Sequence, residues 1–118
     1  MELNEVPFDG LKPIEGYGPG FFRIGGAVHE GAVVVLPGGV SEWGGYGDTA
    51  TLIRAKGDVD VVLVGTGREI AQVPRAFREA LEEAGLGVEV MGSAAACRTY
   101  NVLLGEGRRI AAAMLPAG

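Results

Sequence analysis

Short apolar runs, each closed by glycine, punctuate the chain. The plainest is Val61-Val62-Leu63-Val64, between Gly57-Asp58 and Gly65-Thr66-Gly67. Successive apolar positions bury both faces of a strand, as in a sheet covered on two sides. The pattern predicts a strand over 59–67 that ends in a glycine turn. Beyond it, Ala76, Phe77, Ala80, Leu81 and Ala84 recur at helical spacing. Arg75, Arg78, Glu79, Glu82 and Glu83 take the other side, and Pro74 suits a first helical turn. Gly85 or Gly87 stops the helix, and Leu86 to Met91 is again strand-like. A strand, a helix and a strand of this length make a parallel βαβ unit with a right-handed crossover. Ser93 is the expected N-cap of another helix, broken by Gly105-Glu106-Gly107, and 108–115 reads as a last strand. The C-terminal half is therefore predicted as βαβαβ.

The first half is less regular. Pro7, Pro13, Gly16, Gly18, Pro19 and Gly20 interrupt residues 1–20 too often for a regular element, so an irregular arm over the core is expected. A strand carrying Phe21, Phe22 and Ile24 follows, bent at Gly25-Gly26 and continued by Ala27-Val28-His29. With Glu30-Gly31 as the turn, it should pair as a hairpin with 32–36. Residues 38–47 read as a glycine-rich loop holding Trp43 and Tyr46. Trp43 has two readings there: a lid folded back on the core, or an anchor for a partner, Tyr46 beside it. Asp48 is a plausible N-cap for a short helix over 48–55.

Composition narrows the function classes. At 118 residues the chain has the size of one domain, and 1–118 is taken as one. The net charge of −5 disfavours nucleic acid and anionic lipid as main partners, which need clustered Lys and Arg. The lone Cys97 permits no internal disulfide, which fits a reducing, cytoplasmic setting. The acidic first residues resemble neither a signal nor a transit peptide, and no apolar run reaches the length of a membrane span. Oligomeric state is left open.

Candidate chemistry is sparse. Gly65-Thr66-Gly67 could present amides to an anion, but a dinucleotide fingerprint needs a third glycine where Ile70 stands. Cys97-Arg98-Thr99-Tyr100-Asn101 is the densest polar cluster. A helix N-terminus and Arg98 would lower the Cys97 pKa, yet a buried free cysteine is by default a small hydrophobe. Tyr100 and Asn101 could equally satisfy backbone groups near the glycine turn. His29 is the single histidine and reads as a surface residue. Acidic pairs such as Glu82-Glu83 and Asp58-Asp60 have no metal-ligand spacing. Neither a catalytic set, a metal nor a cofactor is expected.

Val33 to Leu36 with Pro37-Gly38-Gly39, then Leu63 to Gly67, then Gly87 to Met91 running into Ala95 to Asn101, and finally Gly107-Arg108-Arg109, form a recognisable series. Together they resemble a small single-domain family of unknown function. That family includes the adipogenesis-associated protein and the third mitochondrial respiratory complex I assembly factor. The resemblance implies an α/β fold with a mixed sheet, flanking helices and a hammerhead-like N-terminal β part. It implies no established enzyme activity and, for the mitochondrial branch, a helper role in building a membrane complex. The family pattern has Asp-Thr where this chain has Gly92-Ser93, which removes a carboxylate. The expected function is a non-enzymatic accessory protein that binds other proteins, a membrane-complex subunit among them. The alternative is a small-molecule or anion-binding domain, with a pocket between Gly65, Thr66 and Gly67 and the helix bearing Cys97, Arg98, Tyr100 and Asn101.

Overall fold

The computed structural model describes residues 12–117. Strands β1 (Ile14–Gly18), β2 (Phe21–Ile24) and β3 (Ala27–Glu30) form an antiparallel three-stranded sheet. A second, five-stranded sheet contains β4 (Val33–Leu36), β5 (Gly39–Glu42), β6 (Val61–Thr66), β7 (Gly87–Met91) and β8 (Ile110–Leu115). Its order is β5-β4-β8-β6-β7. β6 runs parallel to both β7 and β8, whereas β4 is antiparallel to β5 and β8, so the sheet is mixed. Among the described residues three α-helices, α1 (Ala50–Ile53), α2 (Arg75–Glu83) and α3 (Ser93–Gly105), and a short 3-10 turn at Gly45–Gly47 complete the set.

Side-chain alternation along β6 explains the apolar run. Leu63 turns to one face, with Ala112 and Met114 of β8, and meets Ala96, Cys97, Tyr100 and Leu104 of α3 and Phe22 and Ile24 of β2. Val62 and Val64 turn to the other, with Ala111 and Ala113, and meet Phe77 and Leu81 of α2. Burying a side chain such as Leu81 contributes about 2 kcal/mol, so both faces of the sheet are needed for stability. The middle strand is β8. Its Ala111-Ala112-Ala113 are fully buried in spite of weak strand propensity. The small Ala112 side chain lies on the face that α3 covers, over β6 and β8.

Several local expectations change. The arm over 1–20 is not irregular throughout: Ile14–Gly18 is an edge strand, paired with β2, in which glycine needs no side-chain partner. Residues 1–11 of that expected arm lie outside the described residues. The hairpin turns at Gly25-Gly26, both with positive φ, not at Glu30-Gly31. After Gly31 the chain crosses to the other sheet, where β4 finds β8 and β5. Residues 39–42 of the expected glycine loop are thus β5, closed onto β4 through Pro37-Gly38. The helix over 48–55 shrinks to Ala50–Ile53, although Asp48 still accepts from the Thr51 amide at 3.3 Å. Burial pushes the Asp48 carboxyl up, and hydrogen bonds from Thr51 and Gly44 outweigh it, leaving the pKa below the usual value.

Candidate functional site

Trp43 is 5% exposed. Its ring centroid lies 5.6 Å from Tyr46 and 5.9 Å from Phe77, and its Nε1 donates to the Asp48 carbonyl at 3.1 Å. It closes the α2 side of the core as a lid. Packed among aromatics with its one donor satisfied, Trp43 shows little surface for the partner anchor that the sequence also suggested. Tyr46 is half-buried, edge-on to Phe77 at 5.2 Å.

The expected pocket fares differently residue by residue. Gly65 is not part of a turn. It lies within β6, where a Cβ would stand 2.8 Å from Ser93 Oγ and 3.0 Å from both the Ser93 Cα and Met114 Cγ. It is glycine so that α3 can start directly on the sheet. Gly67 does take a positive φ of 103°. Its amide donates to Ser93 Oγ at 2.9 Å, and the Ser93 amide donates back to its carbonyl at 2.7 Å. Ser93 Oγ donates in turn to the Leu115 carbonyl at 2.6 Å. Ser93 is therefore not the N-cap, a position held by Gly92. It is a fully buried hydroxyl that ties the ends of β6 and β8 to α3. Thr66 Oγ1 donates to the Glu69 carbonyl at 2.7 Å and accepts from the Ala71 amide at 3.0 Å, which sets the shape of the following loop.

On α3, Cys97 is buried, its Sγ 3.8 Å from the sulfur of Met114. Burial pushes its pKa up to about 11, against the lowering pull of Arg98. At neutral pH it is a thiol and not a nucleophilic thiolate. Tyr100 is buried too, and its pKa rises to about 12 for the same reason. Asn101 faces β1: its Nδ2 donates to the Ile14 carbonyl at 2.7 Å, and its Oδ1 accepts from the Ile14 amide at 2.8 Å. The side-chain amide thus imitates a neighbouring strand and fastens the three-stranded sheet to α3. Arg98 alone points outward, exposed and without a carboxylate partner among the described residues. The structure brings Gly65, Gly67 and the start of α3 together, but the contacts join them to one another.

An open groove of about 600 Å³ lies elsewhere, between the loop after β6, the first turns of α2, and β7. Ile70, Val73 and Val90 supply its apolar lining, and Arg75 and Arg78 its charge. The first turn of α2 carries no acidic residue and no side-chain cap, so its positive end adds to the arginines. Sequence reasoning missed this place. Arg75 and Arg78 look like an ordinary solvated helix face, and Ile70 belongs to no periodic pattern. Their spacing of three residues on α2 was the one available signal.

A family model described as "Protein of unknown function (DUF498/DUF598)" matches residues 14–115. The chain belongs to this family. It is similar to an uncharacterized protein of Rhodobacter capsulatus, 47% identical over 116 residues, covering 98% of this chain and 94% of that protein. It is also similar to NADH dehydrogenase (ubiquinone) 1 alpha subcomplex assembly factor 3 of Danio rerio, 31% identical over 110 residues. That match covers 87% of this chain and 63% of the zebrafish factor, so the chain spans less than two thirds of its length. Among solved structures, one described as an outer membrane protein from Bartonella henselae superposes with a TM-score of 0.84 at 32% identity. It covers 92% of this chain and 98% of its own. A Mth938-like domain from Bordetella pertussis gives 0.77 at 30% identity, covering 100% and 94%. The fold is thus the mixed α/β fold of these proteins. Among the described residues, no helix is long and apolar enough to cross a membrane.

Proposed function

We propose that this protein is a non-enzymatic accessory factor that binds other proteins during assembly of a membrane respiratory complex. The observation that carries this reading is its 31% identity, over 87% of the chain, to a factor named for NADH dehydrogenase assembly. The site geometry supports it from another side. Cys97 is held as a buried thiol, Asn101 is engaged with Ile14, and Ser93 closes a three-way contact, so each maintains the fold. The reading places the protein in the cytoplasm, where lone Cys97 stays reduced.

The test is genetic and biochemical. In a bacterium carrying this gene, deletion should lower the amount of assembled NADH dehydrogenase on native gels of its membranes. Re-expression should restore it. An unchanged amount and subunit composition after deletion would remove the assembly reading.

A further inference from the structure

We propose that the α2 groove and the outer edge of β7 form one docking site, which takes an extended, acidic and apolar segment of a partner protein. The segment lies beside β7 as an added strand. The inference rests on the protein-binding reading above and assigns it a surface.

The first observation is the sheet edge. β7 ends the sheet, and among the described residues β6 is its only strand neighbour. An edge strand presents a row of amides and carbonyls that another strand can pair, and proteins commonly blunt such edges with charge or proline. Gly87–Met91 has no proline and one charge, Glu89. Val90 of the same strand lines the groove, so edge and groove are continuous.

The second is the display of Ile70. It is 68% exposed, in a loop whose shape the Thr66 hydroxyl holds through Glu69 and Ala71. A scattered exposed isoleucine is ordinary. This one sits with Val73 and Val90 around one concavity, which gives apolar side chains of a strand somewhere to go.

The third is charge, and it selects the occupant. The chain carries a net charge of −5, yet the charged lining of the groove is Arg75 and Arg78. Arg78 meets Glu82 at 3.4 Å in a pair with both side chains well exposed. Such a pair contributes little and exchanges readily for a carboxylate held in place by a docked strand. Side chains two positions apart in a strand share a face, so an apolar residue facing Ile70, Val73 and Val90 can be followed, two positions on, by the acid that meets the arginines.

The test replaces Ile70 with a photo-crosslinking amino acid in the full chain, expressed in a bacterium carrying the gene. Val102 on α3, 59% exposed, is the comparison position. Position 70 should crosslink to one segment, in which mass spectrometry finds Asp or Glu two residues from an apolar residue. The double variant Arg75→Glu, Arg78→Glu should lower the yield by roughly tenfold without altering the melting temperature. A synthetic copy of the mapped segment, titrated into isotope-labelled protein, should move the amide signals of residues 87–91. A segment without carboxylates, a yield indifferent to the charge reversal, or unmoved signals would overturn the docking site. Crosslinks from position 102 with none from 70 would also overturn it, while leaving the protein-binding reading in place. Silence at both positions would overturn both.

Discussion

The two faces of the five-stranded sheet use polar groups in opposite ways. On the α3 face, Ser93 and Asn101 are engaged by the backbone, and Cys97 and Tyr100 are enclosed. On the α2 side, Arg75 and Arg78 border a groove, and Ile70 is held out into solvent. Chemically rich sequence therefore marks the stitching of the fold. The surface able to meet another molecule is assembled from residues that look unremarkable in the chain. An unpaired buried polar group is costly, so polar residues under a helix are closed into contacts, whereas exposed ones stay available.

Substitutions can break this contrast, and the largest effect is expected at Gly65. Gly65→Val puts carbon atoms where Ser93 and Met114 already stand, and should destabilise by about 3 kcal/mol or more in denaturant titration. A variant of wild-type stability would mean that α3 does not start on β6. Ser93→Ala leaves the Gly67 amide and the Leu115 carbonyl without their partner, which should cost about 2 to 3 kcal/mol in the same measurement.

Asn101→Ala is a more local break. It removes both bonds to Ile14 and should lower stability by about 1 to 2 kcal/mol. Hydrogen exchange should show the Ile14 amide losing protection while β6 keeps its own. Equal loss in both would mean that the two sheets unfold as one unit.

Alkaline pH probes the same face without mutation. Burial raises Cys97 from 9.0 to about 11 and Tyr100 from 10.0 to about 12. Both are held neutral in the fold, and both ionise more easily once unfolded. Their contribution is complete below pH 9 and is lost as pH climbs toward about 11 for the thiol and about 12 for the phenol. Each group should remove at most about 1.4 kcal/mol per pH unit in its window. Tyr100→Phe should flatten the upper part of that decline, and an unaltered slope would show that Tyr100 is not its source.

The smallest stability effects belong to the groove. Ile70→Asp and Arg75→Glu should each stay within about 0.5 kcal/mol of wild type, because neither residue supports the core. A large loss at either would mean that the groove and the core are one region energetically.

Much of the C-terminal half was legible. The β6 run, the amphipathic α2 and the strands β7 and β8 all follow from local periodicity. Pairing in the first half was not. A glycine pair marks a bend whether the chain turns at 25–26 or at 30–31, and local pattern does not say which strand is the partner. At the candidate site, polarity singled out Cys97, Tyr100 and Asn101, but the contacts each one makes were not legible. Asn101 became intelligible only through Ile14, which is 87 residues away in sequence.

The sequence by itself determined which segments are apolar enough to be buried, where helical repeats run, that no disulfide can form within the chain, and the family resemblance. Tertiary structure decided that alanine-rich β8 stands at the centre, that Gly65 serves close approach and not a turn, and that Ile70 lines one groove with Val90 and two arginines. The physical reason is range. Burial periodicity is written into neighbours a few residues apart, whereas contact partners are chosen by the packing of segments distant in the chain.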